Sequence, residues 1–251
     1  GVAFLGAKNL PGPLLAPKIV WIQAGSGTLG IADQLAAEGA LSAPLLFVAH
    51  AYLTPARASL KAGEYELPLR ASIADILSIL RSGKTHARKL TIPEGLTSAE
   101  IVEIVRTTPY LSGPLPTPIP AEGTLLPETY LFSRGMSRAA FLSRMQKDMQ
   151  TLIDTSWRAR TPDPLIDTPE KWVTLASIVE KETGKPEERP HVAAVFLSRL
   201  KIGMKLQSDP TVIYAMTKGA GKLDRPLTRA DLDQTLSPYN TYLNGGLPPG
   251  P

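Results

Sequence analysis

With 251 residues, 43% of them hydrophobic and 20% charged, the chain is long enough for two or three modules and too apolar to stay disordered. Its net charge of +4 comes from 27 scattered Lys and Arg residues. That balance suits anionic surfaces such as phospholipid or wall polymers and leaves no clustered footprint for nucleic acid, so no nucleic-acid partner is expected.

The absence of cysteine excludes disulfide and thiol chemistry, and His50, His86 and His191 lack zinc-ligand spacing. Neither a metal nor another cofactor is expected. No apolar run approaches the ~20 residues needed to span a bilayer. The opening Gly1-Val2-Ala3-Phe4-Leu5-Gly6 reads either as the tail of a membrane anchor or as an ordinary N-terminal segment.

After a Pro/Gly-rich lead over residues 11–17, residues 18–23 (Lys-Ile-Val-Trp-Ile-Gln) have the β-branched and aromatic content of a strand. Gly25-Ser26-Gly27 turns the chain. Thr28 is placed to cap a helix carrying Leu29, Ile31 and Leu35, which Gly39 ends, and Ser42 with Pro44 opens a second helix through Leu53. Residues 63–67 return as a strand. A further helix is predicted from Ser72, with Ile73, Ile76, Leu77 and Leu80 on one side and Gly83 at its end.

Residues 89–92 read as a strand, followed by a helix over 98–106. Five prolines and a glycine between Pro109 and Pro120 resist helix and mark a stiff connection. Residues 122–130 are too rich in Pro and Gly for a regular helix, yet they carry Glu122 and Glu128, and loops on a scaffold are frequent carriers of function. Ser137 then caps a long helix whose Phe141, Met145, Met149 and Leu152 form an apolar line read as core.

At about 100° per residue, Trp172, Leu175, Ile178, Val179 and Glu182 share an arc of roughly 120° on the next helix. Glu180 and Lys181 fall outside it and reach water, while Gly184 and Pro186 stop the helix. Desolvation on the apolar face and the negative end of the helix dipole both oppose ionisation of Glu182. A glutamate held protonated is what a general acid requires. The bland alternative is a side chain at an ordinary helix end, snorkelling to water. Val192, Val195, Phe196 and Leu200 mark a following helix, closed by Gly203 and packed on the first. Asp209 reads as the cap of a third, with Pro210 at its first position. Tyr239, Asn240 and Tyr242 lie in an irregular polar stretch whose residue types stack on sugar rings and bond hydroxyls, although a turn with a buried tyrosine has the same composition.

Several of these stretches, in this order, resemble the YceG-like endolytic murein transglycosylases, also called MltG. They are Glu122-Gly123 with Pro127-Glu128-Thr129-Tyr130, then residues 177–183 (Ser-Ile-Val-Glu-Lys-Glu-Thr), residues 202–214 (Ile-Gly-Met-Lys-Leu-Gln-Ser-Asp-Pro-Thr-Val-Ile-Tyr), Ser237-Pro238-Tyr239-Asn240-Thr241-Tyr242 and Gly246-Leu247-Pro248-Pro249-Gly250. The resemblance spans nearly the whole chain. It implies cleavage of the β-1,4 bond between N-acetylmuramic acid and N-acetylglucosamine within peptidoglycan strands, leaving 1,6-anhydro ends, with Glu182 as general acid and then base. Glu128, Gln207, Asp209, Tyr239 and Asn240 become candidates for binding the glycan.

The same resemblance implies a single-pass anchor in the bacterial inner membrane, with this region on the periplasmic side and wall-synthesis enzymes as possible partners. The expected architecture is α+β. Residues 1–17 are the remnant of the anchor, 18–86 a LysM-like glycan-binding subdomain, 87–120 a connecting strand, helix and Pro-rich segment, and 121–251 a mostly helical catalytic domain with extended loops, truncated at its C-terminus. Thr124 and Glu128 depart from the family's frequent aromatic residue and aspartate, which touches the sugar subsites. Two other functions fit the residues: a peptidoglycan hydrolase pairing Glu182 with Glu128 around a water, and a non-catalytic wall-binding scaffold.

Overall fold

In the computed structural model, which describes residues 6–53 and 59–251, the chain divides into two units, 1–89 with 131–134 and 90–130 with 135–251. The first five residues of the expected anchor remnant lie outside the described residues. Among the described residues no helix is long and apolar enough to cross a membrane.

In the first unit, β1 (Lys18–Ile22) pairs antiparallel with β2 (Gly63–Leu67), Lys18 opposite Leu67 and Ile22 opposite Gly63. The period-two alternation sends Val20, Ile22, Tyr65 and Leu67 into the core. Between the strands come α1 (Thr28–Ala37) and α2 (Pro44–Leu53), and after them α3 (Ile73–Ser82). Ile31, Leu35, Phe47, Ile76, Leu77 and Leu80 complete the core. The α3 boundaries are written locally: Ser72 and Asp75 form a capping box, and Gly83 leaves the helix at a left-handed φ of 69°.

Two local expectations fail in α1. Thr28 is its first helical residue, with Gly27 in the cap position, and Leu29 is 55% exposed because the helix turns Ile31, Ala32 and Leu35 inward. The unit also encloses a carboxylate. Glu64, with a side chain 2% exposed, accepts two hydrogen bonds from Arg88, at 2.8 and 2.9 Å, and lies 3.5 Å from Arg134, whose guanidinium sits over the Trp21 ring. The Arg88 bond holds this carboxyl below the usual carboxylate range despite its burial.

β3 (Arg88–Thr91) and β4 (Thr129–Phe132) form a second two-stranded sheet. The sequence gives no warning of β4, because Pro127 and Gly123 make the stretch read as loop. In the second unit α4 (Ser98–Thr107) begins with a capping box of Thr97 and Glu100, and α5 (Arg138–Ala159) is capped by Ser137. α6 (Pro169–Glu182) is capped by Thr168, with Pro169 at its first position. A short 3-10 turn, Pro186–Glu188, leads into α7 (Arg189–Lys201), followed by α8 (Asp209–Thr217) and α9 (Arg229–Gln234).

Leu175, Ile178 and Val179 of α6 pack with Ile166, Phe196 and Leu206 in one buried cluster. At about 1.5–3 kcal/mol for each large aliphatic or aromatic side chain, this cluster is what holds the end of α6 in place. Leu152, expected in the core, is 45% exposed, since α5 buries only Phe141, Leu142 and Met145 near its start. Val195 is likewise on the surface, and α7 buries Phe196. The architecture is α+β, as expected, with the helices concentrated in the second unit.

Candidate active site

Glu182 is the last residue of α6. The expected phase of the helix is right, for Leu175, Ile178 and Val179 beneath it are buried. The expected desolvation is not there: Glu182 itself lies exposed, one turn beyond the last side chain that the core covers. Its Oε1 accepts a hydrogen bond from the Ser208 hydroxyl. Ser208 occupies the cap position of α8, so the carboxyl meets the N-terminus of that helix.

A web of small hydroxyls fixes Ser208 in turn. Its backbone N–H donates to Thr241 Oγ1 at 3.0 Å, its carbonyl accepts from Thr211 Oγ1 at 2.6 Å, and the two threonine hydroxyls lie 2.9 Å apart. Ser208, Thr211 and Thr241 are all buried, a setting in which each polar atom must find a partner. Beside them Tyr242 donates its hydroxyl proton to Asp209 Oδ1 at 2.6 Å. Burial, the Asp209 acceptor and the nearby charges of Asp209 and Glu182 push this phenol up to about 12. The neighbouring Glu180 is differently employed, since it is half-buried and paired with Arg189 at 3.0 Å rather than turned to water.

A second carboxyl sits elsewhere in the same unit. Glu122 is half-buried and accepts from the Ser98 backbone N–H at 2.8 Å, at the start of α4, and from the Tyr214 hydroxyl at 3.4 Å. Burial raises its pKa, and the like charge of Glu100 adds to the effect. The Tyr214 ring in turn lies 4.7 Å from that of Tyr239. Burial and the proximity of Glu122 push the Tyr214 phenol up to about 12.

The model of the YceG-like family matches residues 20–251. The chain belongs to the YceG-like family. A solved structure of a YceG-like protein from Listeria monocytogenes is 30% identical with a TM-score of 0.53, over 94% of this chain and 85% of that one. Two relatives are named endolytic murein transglycosylase. The one from Bacillus subtilis is 38% identical over 133 residues, covering 53% of this chain and 35% of the relative. The one from Streptococcus pneumoniae is 29% identical over 280 residues, covering 92% of this chain and 49% of the relative. The chain therefore spans half or less of the length of these curated relatives.

Set against this YceG-like fold, the residues singled out from sequence separate into groups. Glu182, Gln207 and Asp209 come together: Gln207 sits at φ 53° and donates its N–H to the Thr241 carbonyl, leaving its side chain exposed. Asp209 is the first helical residue of α8 rather than its cap, which frees its carboxylate for Tyr242. Tyr239 faces Tyr214. Asn240 has to be corrected as a residue presented to a sugar. It is fully buried, donating its amide to the carbonyls of Leu232 and Thr235 and accepting from the Tyr242 N–H, so it shapes the loop from within. Glu128 is exposed and accepts from its neighbour's N–H on Thr129, outside the Glu182 network. Sequence reasoning missed the roles of Ser208, Thr211 and Thr241, which look like ordinary capping and turn residues, and of Glu122 with Tyr214, partners 92 residues apart.

Proposed function

We propose that the chain is an endolytic peptidoglycan lytic transglycosylase. On this reading it cleaves the β-1,4 bond between N-acetylmuramic acid and N-acetylglucosamine within glycan strands and leaves 1,6-anhydro ends. The observation that carries the proposal is the exposed Glu182 carboxyl, held by Ser208 beside Asp209 and Tyr242. Membership of the YceG-like family and the names of the two relatives support the choice of murein.

The chemistry needs one carboxyl in two roles. Glu182 gives a proton to the bridging oxygen as the C1–O bond breaks, then takes a proton from the muramoyl 6-hydroxyl as that oxygen closes on C1. No water is consumed. With Oε1 engaged by Ser208, the proton moves at Oε2. The dehydration that sequence reasoning assigned to the fold would come from the glycan itself, lying over an exposed side chain. Gln207, Asp209 and Tyr242 are placed to bond sugar hydroxyls around it. Action on murein puts the chain outside the cytoplasm, with wall-synthesis enzymes as neighbours.

The test is mass spectrometry of products from purified peptidoglycan. Wild type should release fragments with anhydro ends, and Glu182→Gln should lower the rate at least a hundredfold, the low end of what general acid–base catalysis contributes, about 100- to 10,000-fold. Reducing ends would establish a hydrolase instead. Undiminished cleavage by the glutamine variant would remove Glu182 from the mechanism.

A further inference from the structure

We infer that Glu122 is a positioning residue: through Tyr214 and Tyr239 it holds the loop of residues 237–242 in the register that sets Thr241 against Ser208 and Tyr242 against Asp209. The inference deepens the proposed function and rests on it for its effect on catalysis, though not for its effect on the loop.

Two features make the connection mechanical. α8 carries Asp209 at its first position and Tyr214 further along, so one helix meets the loop at two points: Thr211 and Asp209 receive Thr241 and Tyr242, and Tyr214 receives Tyr239. A side chain and a backbone N–H then fix Glu122 itself. Its Oε2 accepts from Ser98 at the N-terminus of α4, and its Oε1 accepts from Tyr214.

Glycine backbone approaches both tyrosines closely on one side. A Cβ on Gly219, which sits at φ 78°, would lie 3.1 Å from Glu122 Oε1 and 3.2 Å from the Tyr214 ring. A Cβ on Gly250 would lie 3.2 Å from the Tyr239 hydroxyl. Among the described residues, the titratable groups acting on Glu122 are Glu100 on α4 and Tyr214 on α8, and neither is a cation. Glu122 is therefore held by donated hydrogen bonds rather than by charge. An amide in place of the carboxylate keeps the Ser98 bond at its carbonyl oxygen, and its NH2 can donate to the Tyr214 hydroxyl, which also accepts, so both contacts are retained with one of them reversed.

Amide hydrogen exchange on the full chain tests the mechanical part. Glu122→Ala should speed exchange of the amides in residues 237–242 by about tenfold, the size expected for a lost hydrogen bond to a charged group, while amides of α5 keep their rates. Glu122→Gln should restore most of the protection. Tyr214→Phe, which keeps the ring and removes only the donor, should reproduce a smaller part of the loss. In the cleavage assay Glu122→Ala should lower kcat and leave KM within about twofold, because substrate still binds while Glu182 loses its aligned surroundings. Unchanged exchange in 237–242 for both Glu122→Ala and Tyr214→Phe would overturn the inference, as would acceleration confined to residues 97–100. If wild type fails to cleave glycan, the proposed function falls while the exchange result still decides this one.

Discussion

Glu64 in the first unit and Glu122 in the second are both drawn away from water, and the fold moves them in opposite directions. Glu64 is the more deeply buried, yet Arg88 grips it with two hydrogen bonds and Arg134 stands close by, so its carboxyl stays below the usual range. Glu122 is only half-buried, but among the described residues no guanidinium faces it, and an N–H and a phenol do not compensate for the lost water. Depth alone therefore predicts neither the sign of a shift nor the role of the side chain. The partner decides, because a buried charge is tolerable only when paired.

The sharpest way to break the contrast is to remove the better-held group. Glu64→Ala should cost about 3 kcal/mol by thermal or denaturant unfolding, the low end for breaking a buried ion pair, since both arginines retain some access to water. A loss under 1 kcal/mol would mean that the arginines find water at no cost. A smaller effect is expected in the second unit from Gly219→Ala. The added methyl meets Glu122 Oε1 at a left-handed φ, so the variant should lose about 1–2 kcal/mol and expose Tyr214 to solvent in ultraviolet difference spectra.

The subtlest comparison is pH dependence. Glu64 has a lowered folded pKa, so its stabilisation is present above the unfolded value of 4.5 and disappears as pH falls through the folded one. Glu122 has a raised folded pKa, so its contribution is present below 4.5, where it is neutral in both states, and is lost as pH rises through the folded value. Glu122→Gln should then raise the unfolding midpoint relative to wild type at pH 7 and leave it unchanged near pH 4. Glu64→Gln should lower it at pH 7 by an amount that shrinks on acidification. Parallel curves for the two variants would erase the distinction.

How far the chain could be read in advance follows the range of the interactions involved. The helix start at Ser72, the cap at Ser137 and the β2 strand were legible because each depends on residues within a few positions of one another. β4 was not, since its pairing with β3 competes with a local composition that looks like loop. A helical wheel gave the correct face of α6 but not the exposure of Glu182, because a wheel reports angle and says nothing about where the neighbouring core ends. The cap of α8 was displaced by one residue, from Asp209 to Ser208, and that shift is what gives Glu182 its partner.

By itself the sequence determined the α+β class and the positions of most helices and put Glu182 forward as a candidate, all through patterns that repeat every two to four residues. Only the tertiary structure decided what surrounds that carboxyl and that a second one, Glu122, is tied to the same loop. Those contacts join positions 26 and 92 residues apart, and their energies depend on burial and on partners that no local pattern encodes.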